Sequence, residues 1–385
     1  MGYARKLLPP VVGGGLRSTA SSPSNLPFSV GRTQRLNPLF SSQGIDAFLV
    51  SHLPNIRYLC GFSGSAGLLL ATPSGATLFT DSRYTFQAHE EVAGARVRIA
   101  KGGLLSAVAE ALKARRGRSR VGCSEAHLTV AQKRALEHLT GKKVRWVSDE
   151  NAVEKLRSVK DTQELSLIRD ASELISDVFG DVVKRIRPGV PELDLAGEIE
   201  YRIKRRGASG ASFETIVASG PRSAWAHARP TSKLLRRNEL VVLDQGAILA
   251  GYCSDMTRTV FVGKAPQRVR RLYQAVLDAQ KAAKEAIRPG ATAGDVDRAS
   301  RGVLRQRGLA GYFTHSTGHG LGIEVHEMPR LGKNEEAVLQ EGMVLTVEPG
   351  VYIEGLGGIR IEDDVVVTAR GAQDLTTARR DLLER

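Results

Sequence analysis

The sequence predicts an α+β protein in two parts: a smaller α/β domain over residues 34–152 and a larger domain over 153–385 made of two similar, pseudo-symmetric halves. Three observations carry this reading. Short apolar runs alternate with amphipathic stretches between residues 36 and 150, the pattern of strands interleaved with helices. "IRPGVPELDLAGEIEYRIKRRG", starting at Ile186, aligns with "IRPGATAGDVDRASRGVLRQRG", starting at Ile287, at a constant offset (287 − 186 = 101). Both halves of the larger domain also carry carboxylates at the ends of, or inside, apolar strand-like runs.

Taken in order, residues 1–33 are rich in Gly, Pro, Ser and Arg and lack any hydrophobic period, so a disordered tail or an organellar presequence is expected there. An initiation codon placed too far upstream accounts for that composition equally well. "LLPPVVGGGL" is too short and too broken by prolines and glycines to be a secretory signal. Order is expected from about Leu36. "DAFLV" (46–50), "AGLLLAT" (66–72) and "ATLFTDSRY" (76–84) read as strands, with "GFSGSAG" (61–67) as a tight turn. "LLSAVAEALKARRG" (104–117) reads as a helix, and "RVGCSE" (120–125) and "KVRWVS" (143–148) as further strands. No catalytic cluster stands out in this domain.

The larger domain opens on a long helix. Asp161 and Glu164 have capping-box spacing ahead of an apolar stripe from Leu165 to Ile186, and Pro188-Gly189 ends it. Each repeat copy then turns at Pro-Gly, sets an aspartate (Asp194, Asp295) near a helix start and stops at a glycine (Gly207, Gly308).

Composition narrows the function classes. The chain has 385 residues, 42% hydrophobic and 25% charged, which suits two globular domains. No apolar run is long enough to cross a membrane as a helix. Cys60, Cys123 and Cys253 share no metal-type spacing and suggest buried thiols in a reducing, cytoplasmic setting. The net charge of +14 raises a nucleic-acid partner, but the excess sits partly in the acid-free segment 1–36 and in "KARRGRSR" (113–120), without interleaved aromatics. No nucleic-acid partner is expected.

The chemistry gathers in the second domain. "ELVVLDQGA" ends its apolar run at Asp244, and "CSDMTRTVFV" carries Asp255. "MVLTVEPGVYI" delivers Glu348, and "GIRIEDDVVVT" buries Glu362 among Ile361, Val365 and Val366. "THSTGHGLGIEVHE" gathers His315, His319 and His326. His315 and His319 have the spacing of a zinc helix, but Gly318, Gly320 and Gly322 oppose a helix at about 1 kcal/mol each. Buried carboxylates need cationic partners. Arginine is the simpler partner, and Arg258 and Arg360 are at hand. Four acids with a histidine loop are better explained by shared cations. Such oxygen-rich donors balance two divalent ions, Mn²⁺, Co²⁺ or Zn²⁺, rather than one tetrahedral zinc. A water held between two such ions is acidified towards neutrality, which favours hydrolysis.

With these residues in hand the chain resembles the pita-bread metallopeptidases. It is most similar to Xaa-Pro aminopeptidases (aminopeptidase P) and prolidases, in "LDQGA…YCSDMTRT", "STGHGLGIEVHE", "TVEPGVY" and "GIRIEDD". "LPNIRYLCGFSGSAG" and "LFTDSRY" resemble their creatinase-like N-terminal domain. The resemblance implies a pita-bread catalytic domain and metal-dependent cleavage of Xaa-Pro bonds in dipeptides or at the N-terminus of peptides, by a hydroxide bridging two metals, most often Mn²⁺. It implies Asp244 on one metal, Asp255 and Glu362 bridging both, and His319 and Glu348 completing the second. It implies Glu348 as proton shuttle, His227 ("SAWAHARP") and His326 as catalytic and substrate-contacting, and His315 and Arg360 as substrate-binding. It further implies a homodimer. The alternative is an inactive pita-bread scaffold with a basic binding surface.

Overall fold

The structure, a computed structural model, describes residues 31–385. Its N-terminal domain is built on a six-stranded sheet in the order Arg96–Ile99, Gly75–Thr80, Leu68–Thr72, Ala47–Val50, Ser119–Cys123, Val144–Ser148. Ala47–Val50 is buried throughout, antiparallel to Leu68–Thr72 and parallel to Ser119–Cys123. Apolar layers cover both faces: Phe48, Ile56, Tyr58 and Leu78 on one side, Leu49, Phe79, Val108 and Val121 on the other. That is why these strands read as unbroken apolar runs rather than as alternation.

Two expectations fail locally. Arg96–Ile99 is a strand the sequence reading did not include; it is a four-residue edge whose arginines face solvent, too short to show a period. "DSRY" does not extend its strand. Asp81 accepts from the Arg83 N–H at 3.0 Å and pairs with its guanidinium at 2.8 Å, folding the segment into a 3₁₀ turn, Ser82–Tyr84.

Arg32 and Thr33, assigned above to the tail, belong to an ordered turn, Arg32–Leu36. The Arg32 side chain is 2% exposed, and its guanidinium lies 4.6 Å over the Tyr58 ring and donates to Asp161 at 2.7 Å. The rest of the expected tail, residues 1–30, lies outside the described residues.

Asp161 also caps the helix Thr162–Val182, accepting from the N–H groups of Gln163 and Glu164 while Glu164 reaches back to the Asp161 N–H. The repeat is visible in the backbone. Helices Glu192–Arg205 and Ala293–Gln306 both follow Pro-Gly turns in which the glycine has φ 87° (Gly189, Gly290). Each is closed by a left-handed glycine, Gly207 at φ 90° and Gly308 at φ 70°.

Each half contributes one antiparallel-rich sheet. In the first the order is Leu383–Glu384, Met256–Val262, Glu239–Gln245, Ile216–Ser219. In the second it is Glu327–Leu331, Gly318–Gly320, Val344–Val347, Asp363–Thr368, Gly371–Asp374. The segments 343–353 and 358–368 are not single strands. Each divides, at Glu348-Pro349 and at Ile361-Glu362, and the pieces Gly350–Ile353 and Gly357–Arg360 form a separate hairpin. Pro349 has no N–H to continue the ladder, so the strand ends beside it. The glycines of the histidine loop serve close packing. A Cβ on Gly318 would lie 2.0 Å from the Thr346 carbonyl oxygen, and one on Gly320 2.1 Å from that of Met328. Among the described residues no helix is long and apolar enough to cross a membrane, and Cys60, Cys123 and Cys253 are free and buried.

Candidate metal centre

The strand breaks place the acids. Asp244 lies near the end of Glu239–Gln245, opposite Thr257 on the neighbouring strand. Asp255 immediately precedes Met256–Val262. In the second half Glu348 immediately follows Val344–Val347, and Glu362 immediately precedes Asp363–Thr368, with Val347 opposite Asp363. Each half thus ends one strand and begins its antiparallel neighbour on a carboxylate. The halves are joined at this seam: the Glu362 N–H donates to the Thr257 carbonyl at 3.1 Å, and the Arg360 N–H to the Thr259 hydroxyl at 3.0 Å.

His319 meets these acids from the middle of Gly318–Gly320. Its Nδ1–H donates to its neighbour's carbonyl, Gly320, at 3.0 Å, so Nε2 carries a lone pair. That lone pair lies 3.7 Å from Asp255 Oδ2 and 3.6 Å from Glu348 Oε1. Ligand atoms of Asp255, His319 and Glu362 all fall within 4.8 Å of one another, and all three residues are buried. Asp244 Oδ1 is buried without a hydrogen-bond partner among the described residues. A lone pair turned towards carboxylates, with a further orphaned oxygen alongside, is a donor set that fits divalent cations. Asp244, Asp255, His319, Glu348 and Glu362 are therefore brought together; the sequence spacing alone could not show that.

The electrostatics agree with this fit. Burial, then repulsion from Glu362 and Asp244, holds the Asp255 carboxyl well above its ordinary range. Burial, then Glu348 and Asp244, does the same to Glu362. Burial pushes Glu348 up to about 8, against the opposing pull of Arg360. Burial, then the neighbouring His326, lowers His319 to about 4, and the two rings meet edge to face at 4.3 Å. In the metal-free protein these shifts carry a sign. A carboxyl raised in the folded state stabilises it below the unfolded pKa and loses that contribution as pH rises through the folded one. Depressed histidines act oppositely, but only up to their ordinary value near 6.5. The carboxyls alone therefore govern the range above it. The thermal midpoint of chelated protein should fall as pH rises from about 6.5 to about 8, and added divalent cation should abolish the fall. A midpoint that climbs over that range without metal would contradict the arrangement.

The remaining candidates line a cleft of about 590 Å³ that also receives His319 and Glu348. His227 and His326 are exposed on its wall; His315 is half-buried deeper in. Arg360 Nη1 donates to the Tyr352 hydroxyl at 2.7 Å, which leaves the phenol's own proton for His315 Nε2 at 2.8 Å. His315 Nδ1 then donates to the Ser316 carbonyl, and the ring stays neutral; burial lowers its pKa to about 4. Arg360 is also the cation that the simpler reading required, for Nη2 pairs with Asp244 at 2.6 Å. Arg258 pairs instead with Asp363, at 2.6 Å. Three supporting residues were missed from sequence. The Thr257 hydroxyl donates to Glu362 at 2.6 Å and accepts from Arg360 Nε at 2.9 Å. Tyr352 orients His315, and Asp364 accepts from the Asp255 N–H at 3.1 Å and from the Ser172 hydroxyl at 2.7 Å. All three stand inside the quoted motifs, and that membership was the one signal that could have drawn attention to them.

Comparison with known proteins decides the family. Residues 166–369 match metallopeptidase family M24, and residues 32–159 match the creatinase/prolidase N-terminal domain. The chain belongs to metallopeptidase family M24. Among M24 relatives, the Xaa-Pro dipeptidase of Pyrococcus horikoshii is 36% identical over 91% of this chain and 98% of that protein. The solved Xaa-Pro dipeptidase from Bacillus anthracis superposes with a TM-score of 0.88 at 35% identity, covering 92% of this chain and 99% of the other. The X-Pro aminopeptidase from Thermotoga maritima does so at 0.83 and 36%, covering 89% and 98%. The M24 match spans both halves of the larger domain, so the fold is the pita-bread fold behind a creatinase-type N-terminal domain.

Proposed function

We propose that this chain hydrolyses the bond preceding proline in Xaa-Pro substrates, with Asp244, Asp255, His319, Glu348 and Glu362 holding two divalent cations, Mn²⁺ first and Co²⁺ or Zn²⁺ as substitutes. The observation that carries the reading is His319 Nε2 facing Asp255 and Glu348 at 3.7 and 3.6 Å while Nδ1 is engaged by the Gly320 carbonyl. Two bound cations would supply Lewis acidity and a water acidified to near-neutral pH. The chain supplies the rest. Glu348 accepts a proton from the attacking water and returns it to the departing proline nitrogen. Exposed on the cleft wall, His227 and His326 hydrogen-bond the oxygen on which charge develops. His315, fixed by Tyr352, and Arg360 form the wall for the proline ring. Proline lacks the amide proton and restricts the residue before it, so a dedicated pocket is needed.

Both dipeptidases and an aminopeptidase stand among the relatives at similar identity. Mn²⁺-loaded protein should cleave Xaa-Pro dipeptides or Xaa-Pro-Yaa tripeptides, in a chelator-sensitive way, and leave Xaa-Ala analogues largely intact. Absence of cleavage of either under full metal loading would overturn the proposal. His227→Ala should retain full metal content and lose about 10²-fold in kcat. Unchanged turnover would remove His227 from the chemistry.

A further inference from the structure

A second group of ligand-type side chains lies where the N-terminal domain meets the cleft, and none of the chemistry above uses it. His52 precedes the helix Leu53–Cys60, His127 follows the strand Ser119–Cys123, and Glu154 sits on the helix Ala152–Ser158. Ligand atoms of the three lie within 4.8 Å of one another. The imidazoles are stacked face to face, 3.7 Å between centroids with planes 3° apart. His127 Nε2 is 2.8 Å from Glu154 Oε1. His52 Nε2 is 3.3 Å from Glu324 Oε1, on the catalytic-domain loop two residues before His326.

The charges around Glu154 are unbalanced. Its side chain is only 14% exposed, yet among the described residues its ionic partner is His127, with no lysine or arginine paired to it. Asn55, itself 1% exposed, donates to Glu154 Oε1 at 2.6 Å and is oriented by Arg157. Arg157 is committed elsewhere, to Glu324 at 2.8 Å and Glu327 at 2.5 Å. Glu154 Oε2 and His52 Nδ1 are both buried without hydrogen-bond partners among the described residues. A half-buried carboxylate beside two imidazoles, with an orphaned oxygen and an orphaned ring nitrogen, is a donor set that suits a borderline divalent ion.

We propose that His52, His127 and Glu154 form a second, non-catalytic zinc-type site, with Glu324 as the candidate fourth ligand. His127, Glu154 and Glu324 line the cleft, so an ion can enter from solvent. Binding requires the stacked planes to tilt apart so that their lone pairs converge, and His52, with its unpartnered Nδ1, is the ring with least to lose. Ligation by Glu324 would clip the N-terminal domain to the loop carrying His326 and fix one wall of the cleft.

The test is independent of peptidase activity. In a chain carrying Asp255→Asn and His319→Ala, Zn²⁺ binding is measured by equilibrium dialysis and metal analysis, with and without His127→Ala. The site predicts about one equivalent of Zn²⁺ per chain that is lost on adding His127→Ala, together with a zinc-induced rise in thermal midpoint that is lost with it. Glu154→Gln, which keeps the side-chain volume and an oxygen for Asn55, should lose the same equivalent and guards against misfolding of the histidine variant. Equal zinc content with and without His127→Ala and Glu154→Gln would overturn the site and leave the cluster as a structural contact between the N-terminal domain and the cleft.

Discussion

Asp255→Asn should cost on the order of 10³-fold in kcat/KM, roughly 4 kcal/mol of transition-state stabilisation, and should reduce bound metal in parallel. The residue stands at the centre of the candidate set. Its carboxylate faces His319 Nε2 at 3.7 Å, and its backbone N–H is held by Asp364 at 3.1 Å, which fixes where the side chain starts. Asparagine keeps the volume and one oxygen but removes the charge. The same change should not weaken the metal-free fold above neutral pH. It should strengthen it, because burial and the charges of Glu362 and Asp244 make the ionised Asp255 costly there. Metal analysis, kinetics on an Xaa-Pro dipeptide and chelated unfolding midpoints check all three statements together. A variant with full metal content and full activity would remove Asp255 from the centre, and with it the two-cation reading.

Much of this was readable in the sequence because the informative features are local. The capping box at Asp161 and Glu164, the paired Pro-Gly turns and the terminal glycines Gly207 and Gly308 depend on neighbours within a few residues, and the structure has each where the pattern put it. What was hidden depends on approach between distant segments. The run "RIEDD" contains three consecutive acids whose fates differ, and no periodicity separates them. Glu362 turns to the centre and is held above its ordinary range. Asp363 turns the other way, to Arg258 at 2.6 Å, Lys284 at 2.5 Å and Arg380 at 2.5 Å, and its carboxyl stays well below the usual range despite burial. Asp364 binds Ser172, 192 residues earlier, and is pushed up to about 7 by burial. The apolar neighbours Ile361, Val365 and Val366 drew attention to Glu362, but they flank Asp363 and Asp364 as well, and the bridging role given to Glu362 came from the resemblance. The His52–His127–Glu154 group was missed for the same reason: its members lie far apart in sequence and meet only when the linker helix Ala152–Ser158 docks beside the sheet.

Arg360→Ala is the substitution expected to damage the fold and the site together. Arg360 is 2% exposed, and its guanidinium makes four directed contacts: Asp244 at 2.6 Å, Tyr352 at 2.7 Å, the Ala226 carbonyl at 3.1 Å and Thr257 at 2.9 Å. Removing it strands Asp244 without its cation, a loss of about 3–5 kcal/mol for a broken buried pair. It also frees Tyr352, which orients His315, and Thr257, which orients Glu362. Lysine would restore the charge but not the planar fork that reaches several partners at once, so Arg360→Lys should recover part of the stability and little of the activity. Denaturant midpoints and kcat/KM for the two variants separate these contributions. If saturating metal restores most of the lost stability in Arg360→Ala, the cations and the arginine share the task of neutralising Asp244. Should Arg360→Ala instead unfold at the wild-type midpoint with metal removed, Asp244 is not held by this pair, and the electrostatic account of the seam between the two halves is wrong.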